Sequence, residues 1–123
     1  MPINHDEESH HLEIFFEACK KSLETLRGLQ ITEDDWLQLE FFFYSPNRDR
    51  AQLLKRKLEG LGYTDVEIVE KEETTDSNAR YLITGLTQPI QMSEEKFLEW
   101  NKIMVEYAEM TGCMYDGWGT LVG

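Results

Sequence analysis

The sequence predicts an α+β domain in which a leading helix is followed by elements in the order β-α-β-β-α-β. Apolar residues recur at helical spacing in three stretches and alternate along four others, and turn residues separate these stretches. At 123 residues, the chain is long enough to bury one core. This order is typical of the ferredoxin-like, or split βαβ, arrangement, in which a four-stranded antiparallel sheet carries two helices on one face.

The leading helix is predicted over His5 to Gly28. Its apolar stripe consists of Leu12, Phe15, Phe16, Cys19, Leu23 and Leu26. That spacing places these side chains on one face of an amphipathic helix. We expect one domain over residues 1–123, with a frayed N-terminus over 1–11, the leading helix over 12–28 and the ferredoxin-like core over 35–122.

Trp36 to Tyr44 is predicted to form one continuous first strand. Alternation puts Leu37, Leu39, Phe41 and Phe43 on one face and Trp36, Gln38, Glu40, Phe42 and Tyr44 on the other. Because both faces carry aromatic rings, we expect a central strand that is covered at least partly on each side. The leading helix, a second subunit and an external partner are the three candidates for covering the second face.

The remaining elements follow from turn and cap residues. A helix is predicted after Asn47 and continues to Leu61, and a second strand begins at Val66. The polar segment 70–78 is interpreted as an exposed hairpin tip, followed by a strand over 80–86. Ser93 is the expected N-cap of the last helix and Gly112 its C-cap, before a final strand over 114–122.

The charge balance narrows the classes of partner. Lys and Arg number 12 and Asp and Glu number 24, so the formal net charge is −12. Such a field repels phosphate backbones, so we expect no direct nucleic-acid binding and a basic protein partner instead. No stretch is apolar enough for a membrane span or a leader, and the chain is therefore expected to be cytoplasmic.

Histidines and cysteines raise two chemical alternatives. His5, His10 and His11 could ligate a metal, but His10 and His11 point about 100° apart on a helix, so no metal site or cofactor is expected. Cys19 and Cys113 lie on apolar faces, and we interpret them as buried thiols of a reducing compartment rather than a disulfide or a nucleophile.

The closing hexapeptide, Tyr115 to Thr120, places two glycines around a tryptophan near the end of the last strand. Alternation puts Tyr115, Gly117 and Gly119 on one face and Asp116, Trp118 and Thr120 on the other. Three interpretations are open. The glycines could expose backbone beside a tryptophan anchor, Asp116-Gly117 could form a bulge that turns the tryptophan, or Trp118 could be a core residue.

The sequence Tyr-Asp-Gly-Trp-Gly-Thr resembles the signature of the regulator of ribonuclease E activity B family, also called ribonuclease E inhibitor proteins. The resemblance extends over roughly residues 12–122 and includes the leading helix, Leu61-Gly62-Tyr63 after the second helix, and a helix that runs into the motif. It implies a ferredoxin-like protein without catalytic activity that binds the endoribonuclease and lowers its action on RNA.

These observations lead to three functional hypotheses. The first is a non-catalytic regulator that docks on a basic segment of an endoribonuclease or of its scaffold. Its candidate partner-binding residues are Tyr115, Asp116, Gly117, Trp118, Gly119, Trp36, Glu40 and Phe42. The second is a small-molecule or enzymatic site where Asp116, Tyr115, Tyr81 and Glu40 converge. The third is RNA binding by Trp36, Phe42 and Tyr44, for which the basic residues are missing.

Overall fold

The computed structural model describes the backbone of residues 5–71 and 79–120, and the side chains of residues 17–71 and 79–120. Most of the predicted hairpin tip and the side chains of the three histidines lie outside these residues. The elements are α1 (His5–Gly28), β1 (Trp36–Leu37), β2 (Leu39–Ser45), α2 (Arg48–Gly60), β3 (Thr64–Glu70), β4 (Tyr81–Leu86), β5 (Ile90–Gln91), α3 (Glu94–Thr111) and β6 (Met114–Thr120).

The main sheet has four strands in the order β3-β4-β2-β6, and every neighbouring pair is antiparallel. Helix α2 contacts β2, β3 and β4, and helix α3 contacts β6 and α2. The two crossover helices therefore share one face of the sheet. This confirms the predicted α+β class and the predicted four-stranded antiparallel sheet.

Local cap chemistry explains where the crossover helices begin and end. Asn47 Oδ1 accepts a hydrogen bond from the Arg50 N–H at 2.9 Å, and Ser93 Oγ accepts one from the Lys96 N–H at 3.3 Å. Gly112 follows α3 with a φ of 71°, in the left-handed region that glycine adopts without steric cost. The predicted caps Ser93 and Gly112 are thus confirmed.

One core lies between the sheet and the helix layer. Phe41, Phe43 and Ile83 from the sheet are fully buried against Leu54 and Leu58 of α2 and against side chains of α3. Gly85 makes room for this packing, because a Cβ there would lie 2.7 Å from the Phe41 ring. The core thus depends on a close approach between β4 and an aromatic ring on β2.

Helix α1 packs against α3 in the helix layer, where Cys19, Leu23 and Leu26 are buried. Arg27 fixes its end by donating to the carbonyl oxygens of Ile31 at 3.2 Å and Met92 at 2.8 Å. The leading helix was one of three candidates for covering the second face of the first strand. Its packing partner is instead another helix.

The predicted first strand is divided in two, and the prediction of one continuous strand over residues 36–44 is wrong. β1 pairs with β5 in a separate two-stranded ribbon, whereas β2 enters the main sheet. The division occurs where Thr87 Oγ1 accepts the Leu39 N–H at 3.0 Å and Pro89, which has no N–H, follows. Trp36 consequently lies in the ribbon and not beside Phe42.

Candidate functional site

The closing hexapeptide contains a β-bulge, which changes the face of the sheet on which its later side chains lie. Phe43 pairs with Tyr115, but Phe42 pairs with Gly117, so Asp116 is an extra residue between them. Tyr115 and Trp118 therefore face the helix layer, while Gly117 faces the opposite side. The simple alternation predicted for these residues is wrong, and the alternative in which Asp116-Gly117 forms a bulge is confirmed.

Beneath α3, the half-buried Tyr115 forms a polar pair with the fully buried Asn101. Its hydroxyl donates to Asn101 Oδ1 at 2.8 Å, and Asn101 Nδ2 donates to the carbonyl oxygen of Phe97 at 3.0 Å. The ring also lies 5.1 Å from Phe43, centroid to centroid. Burial raises the pKa of the Tyr115 hydroxyl well above its usual range, and the nearby Cys19 thiol adds to this. This tyrosine is a neutral donor that holds β6 to α3.

Trp118 packs edge-on against Phe97, with ring centroids 5.0 Å apart and ring planes at 81°. It is half-buried and also lines a cleft of about 460 Å³ between α1 and β6, together with Thr25 and Asp116. The interpretation of Trp118 as a core residue fits these contacts. A partner-binding role for Tyr115, Asp116 and Trp118 stays a prediction.

The two glycines of the hexapeptide face away from the helices. Gly117 has a φ of 122°, and a Cβ placed there would meet no atom within 4 Å. A Cβ at Gly119 would meet only the Phe42 ring, at 3.8 Å. The glycines thus expose a strip of β6 backbone beside Phe42.

The side of the sheet opposite the helices, which we term the open face, is largely apolar. On β2, the buried residues alternate with half-buried Glu40, Phe42 and Tyr44. The strand registers place the other members beside them. The open face comprises Glu40, Phe42, Tyr44, Glu67, Val69, Leu82, Thr84, Leu86, Met114, Gly117 and Gly119.

Exposure and charge give the open face its character. Val69 is 42% exposed and Met114 is 45% exposed, at opposite edges of the sheet. The charged side chains among its members are the two carboxylates of Glu40 and Glu67. The Lys71 ammonium lies 5.6 Å from the centre of the Tyr44 ring, at one end of the face. The surface therefore combines aromatic and aliphatic contact area with negative charge.

Trp36 occupies a different place. It is 63% exposed and lines a cleft of about 360 Å³ between the β1/β5 ribbon and α3, with Tyr63, Lys96, Glu99 and Trp100 among the other lining residues. This cleft lies on the helix side of the molecule. The structure therefore brings Glu40, Phe42, Gly117 and Gly119 together but places Trp36 apart from them.

Comparison with known families shows the family to which the chain belongs. The family model described as regulator of ribonuclease activity B matches residues 17–120. The chain belongs to this family. No curated protein matches the chain. Members of the regulator of ribonuclease activity B family are described as regulators of ribonuclease activity, and the matched range contains every element from β1 to β6 and the second half of α1.

The alternative enzymatic site does not assemble from its predicted residues. Tyr115 packs against the core on the helix side of the sheet, whereas Glu40 lies on the open face. Tyr81 pairs with Ser45 at the other end of β2, and the Arg48 guanidinium lies 6.0 Å from the centre of its ring. Within the side chains that the structure describes, no group of three or more His, Cys, Asp or Glu residues could hold a metal ion.

Sequence reasoning missed the aliphatic part of the open face. Val69, Leu82, Leu86 and Met114 were not among the candidate site residues, yet each shares a face with Phe42 or Tyr44 across the sheet. The signal was present as alternation in β3 and β4, which places every second residue on one side. Strand order was needed to show that these alternating residues adjoin Phe42.

Proposed function

We propose that this member of the regulator of ribonuclease activity B family is a non-catalytic protein that binds an endoribonuclease of the ribonuclease E type through its open face and lowers its cleavage of RNA. The observation that carries the proposal is an apolar sheet face with exposed Val69 and Met114, in a chain whose family regulates ribonucleases. Exposed apolar patches of this kind mark protein interaction sites.

The contact surface favours a basic protein segment over RNA. The net charge is −12, and the open face adds Glu40 and Glu67 to its apolar side chains. Binding to a phosphate backbone relies on Lys and Arg that neutralise its charge, and this face presents carboxylates instead. A basic segment of the endoribonuclease, or of the scaffold that carries it, would complement the negative charge of the open face and could also pack against its apolar side chains.

Regulation without catalysis also agrees with the chemistry of the site. A hydrolytic site needs a nucleophile or base within hydrogen-bonding reach of a positioned partner. Cys19 is buried in the helix layer and Asp116 is exposed on the bulge, so neither faces the open face together with Glu40. Lowered ribonuclease activity would then result from occupying a surface of the enzyme.

The proposal places the protein in the cytoplasm with its ribonuclease partner. Cys19 and Cys113 are both free and buried, as expected for thiols in a reducing compartment. None of the described helices is long and apolar enough to cross a membrane.

The test compares two exposed methionines on opposite layers. Met114 lies on the open face and Met110 on α3, and they are 45% and 58% exposed. Met114→Gln keeps the side-chain length but places an amide where the partner would desolvate it, so we expect binding to the purified endoribonuclease to weaken about tenfold. Met110→Gln is the matched control and should bind as wild type does.

Binding is measured by calorimetry, and cleavage of a fluorescent RNA substrate is measured in the same samples. Wild type should slow cleavage, and Met114→Gln should slow it less at equal concentration. The proposal fails if wild type leaves cleavage unchanged, or if both glutamine variants bind as tightly as wild type.

A further inference from the structure

The outer edge of β3 is regular and is not covered by any strand of the described chain. β3 is the first strand in the sheet order, and it pairs with β4 without interruption from Glu67 to Glu70. The Lys71 N–H continues this ladder by donating to the Arg80 carbonyl oxygen at 2.8 Å. β6, at the other edge of the sheet, is interrupted by its bulge. A strand added to the sheet would therefore find an uninterrupted edge at residues 67–71.

The ladder with β4 shows which backbone groups of β3 point outward. In an antiparallel pair, residues that exchange hydrogen bonds alternate with residues whose N–H and C=O point away from that partner. Because Lys71 is bonded to β4, Val69 and Glu67 are bonded to it as well. Ile68 and Glu70 therefore direct their backbone groups to the outer edge. These groups match the hydrogen-bonding pattern of another extended strand.

The side chains along this edge of the open face are self-complementary. Glu67, Val69 and Lys71 share the face, because side chains alternate along a strand. Glu67 and Lys71 are exposed, and Glu67 forms no ion pair with a side chain that the structure describes. The Lys71 ammonium lies 5.6 Å from the centre of the Tyr44 ring. A carboxylate, an apolar group and an ammonium thus follow one another at equal spacing.

An antiparallel second copy of β3 would match this order. With a two-fold axis at Val69, Ile68 would face Glu70 of the second copy, and each would donate one backbone hydrogen bond and accept one. On the open face, the two Val69 side chains would meet, and each Glu67 would lie opposite Lys71 of the second copy. Directly opposite side chains have Cβ atoms about 4.5–5.5 Å apart, and pairs of opposite charge stabilise a sheet.

The neighbouring registers match poorly. A two-fold axis at Ile68 would set Glu67 opposite Val69 of the second copy. An axis at Glu70 would set two glutamates opposite each other, and like charges in that position destabilise a sheet. The axis at Val69 leaves no unpaired charge at Glu70, since two arginine guanidinium groups lie within 3.8 Å of its carboxylate.

We propose that the protein forms a symmetric dimer in which the β3 edges of two copies pair antiparallel around Val69. The inference goes beyond the proposed function and does not depend on it. The two four-stranded sheets would form one continuous sheet, with both open faces on the same side. The net charge of −12 on each copy opposes association at low ionic strength, so the dimer is expected at physiological salt, where the Debye length is about 8 Å.

Charge reversal tests this pairing. Glu67→Lys would set ammonium groups opposite each other, and Lys71→Glu would do the same with carboxylates. We expect each variant alone to raise the dimer dissociation constant about tenfold in sedimentation equilibrium at physiological salt. An equimolar mixture of the two variants should restore dimers, because each reversed side chain then faces its opposite charge. The variant that carries both changes should also dimerise as wild type does.

Two variants on α3 control for the change in net charge. Glu109→Lys and Lys102→Glu alter the charge by the same amounts at exposed positions of that helix, and both should dimerise as wild type does. Amide hydrogen exchange gives a second readout. The N–H groups of Ile68 and Glu70 should exchange more slowly as the concentration of wild type rises.

The inference is overturned if wild type is monomeric at every concentration measured, or if the mixture of Glu67→Lys and Lys71→Glu does not restore dimers. It is also overturned if the exchange of the Ile68 and Glu70 amides does not depend on concentration. The two proposals fail separately. A monomer that binds and slows the endoribonuclease refutes the dimer alone, and a dimer that does not bind the endoribonuclease refutes the proposed function alone.

Discussion

At the scale of single residues, the buried amide of Asn101 is the most consequential polar group. It is 1% exposed and joins the Tyr115 hydroxyl to the carbonyl oxygen of Phe97, so it connects β6 to α3. Buried polar groups are costly when a partner is removed, because the remaining atom stays desolvated. Helical spacing alone puts Asn101 on the same face of α3 as Phe97 and Met104, but it does not show that Tyr115 reaches it.

Removing the Tyr115 hydroxyl should destabilise the protein. In Tyr115→Phe, Asn101 Oδ1 loses this donor while the ring packing is kept, so we expect the free energy of unfolding to fall by about 1–2 kcal/mol. Urea unfolding monitored by circular dichroism measures the change. Tyr44→Phe is the control, since Tyr44 lies on the open face, and it should stay within about 0.5 kcal/mol of wild type. Equal losses in the two variants would contradict this role of Tyr115.

Cys19 makes stability depend on alkaline pH. Burial raises the pKa of its thiol from 9.0 to about 11. The pKa of this thiol is thus higher in the folded state than in the unfolded state. Ionisation of the thiol therefore leaves the free energy of unfolding unchanged below pH 9 and lowers it as the pH rises towards 11. We expect the free energy of unfolding of wild type to fall more steeply over this interval than that of Cys19→Ala. Parallel curves in chemical unfolding series would show that the thiol is not responsible.

At the scale of elements, helix ends were predictable and strand interruptions were not. Asn47, Ser93 and Gly112 act through backbone atoms within a few residues, so local sequence reveals them. The break after Leu37 depends on Thr87, which is 48 residues from Leu39 in the chain. The bulge in β6 can be recognised only from its pairing with β2. A sequence pattern that assigns every second residue to one face does not show where an extra residue is inserted.

The bulge should depend on Gly117 and not on Gly119. Gly117→Ala meets no steric neighbour but must adopt a φ of 122°, so its cost is a backbone cost of about 1–3 kcal/mol. Gly119→Ala has no such strain and makes an ordinary contact with Phe42 at 3.8 Å, so a change of about 0.5 kcal/mol or less is expected. Thermal unfolding of both variants measures the difference. A reversed order would refute this account of the bulge.

At the scale of the whole molecule, the residues that stabilise the fold and the residues proposed to bind a partner lie on different sides of the sheet. The helix side holds the core and the buried face of β2, whereas the open face presents Phe42, Val69 and Met114. The sequence predicted the α+β class and the sheet because periodicity and element order determine them. It predicted only part of the candidate site, since neighbours on a sheet face come from strands distant in the chain.

Binding to the endoribonuclease should weaken with salt. With a net charge of −12, association is accelerated at low ionic strength, where the Debye length is about 30 Å, and slowed at physiological salt, where it is about 8 Å. Stopped-flow mixing should show a slower association rate as salt increases, for wild type and for Met114→Gln alike. Salt-independent association of wild type would show that its charge does not steer the encounter.

The extra residue Asp116 has a further consequence for solubility. β6 is the last strand in the sheet order, and within the described part of the chain no other strand pairs with its outer edge. A straight edge strand is a template on which copies of a protein aggregate, and a bulge with a charged residue prevents such pairing. Tyr115 and Trp118 would face the core without Asp116 as well, because removing one residue restores regular alternation. The inserted aspartate is thus not needed for packing, and its position on an edge strand is suited to preventing self-association at this edge.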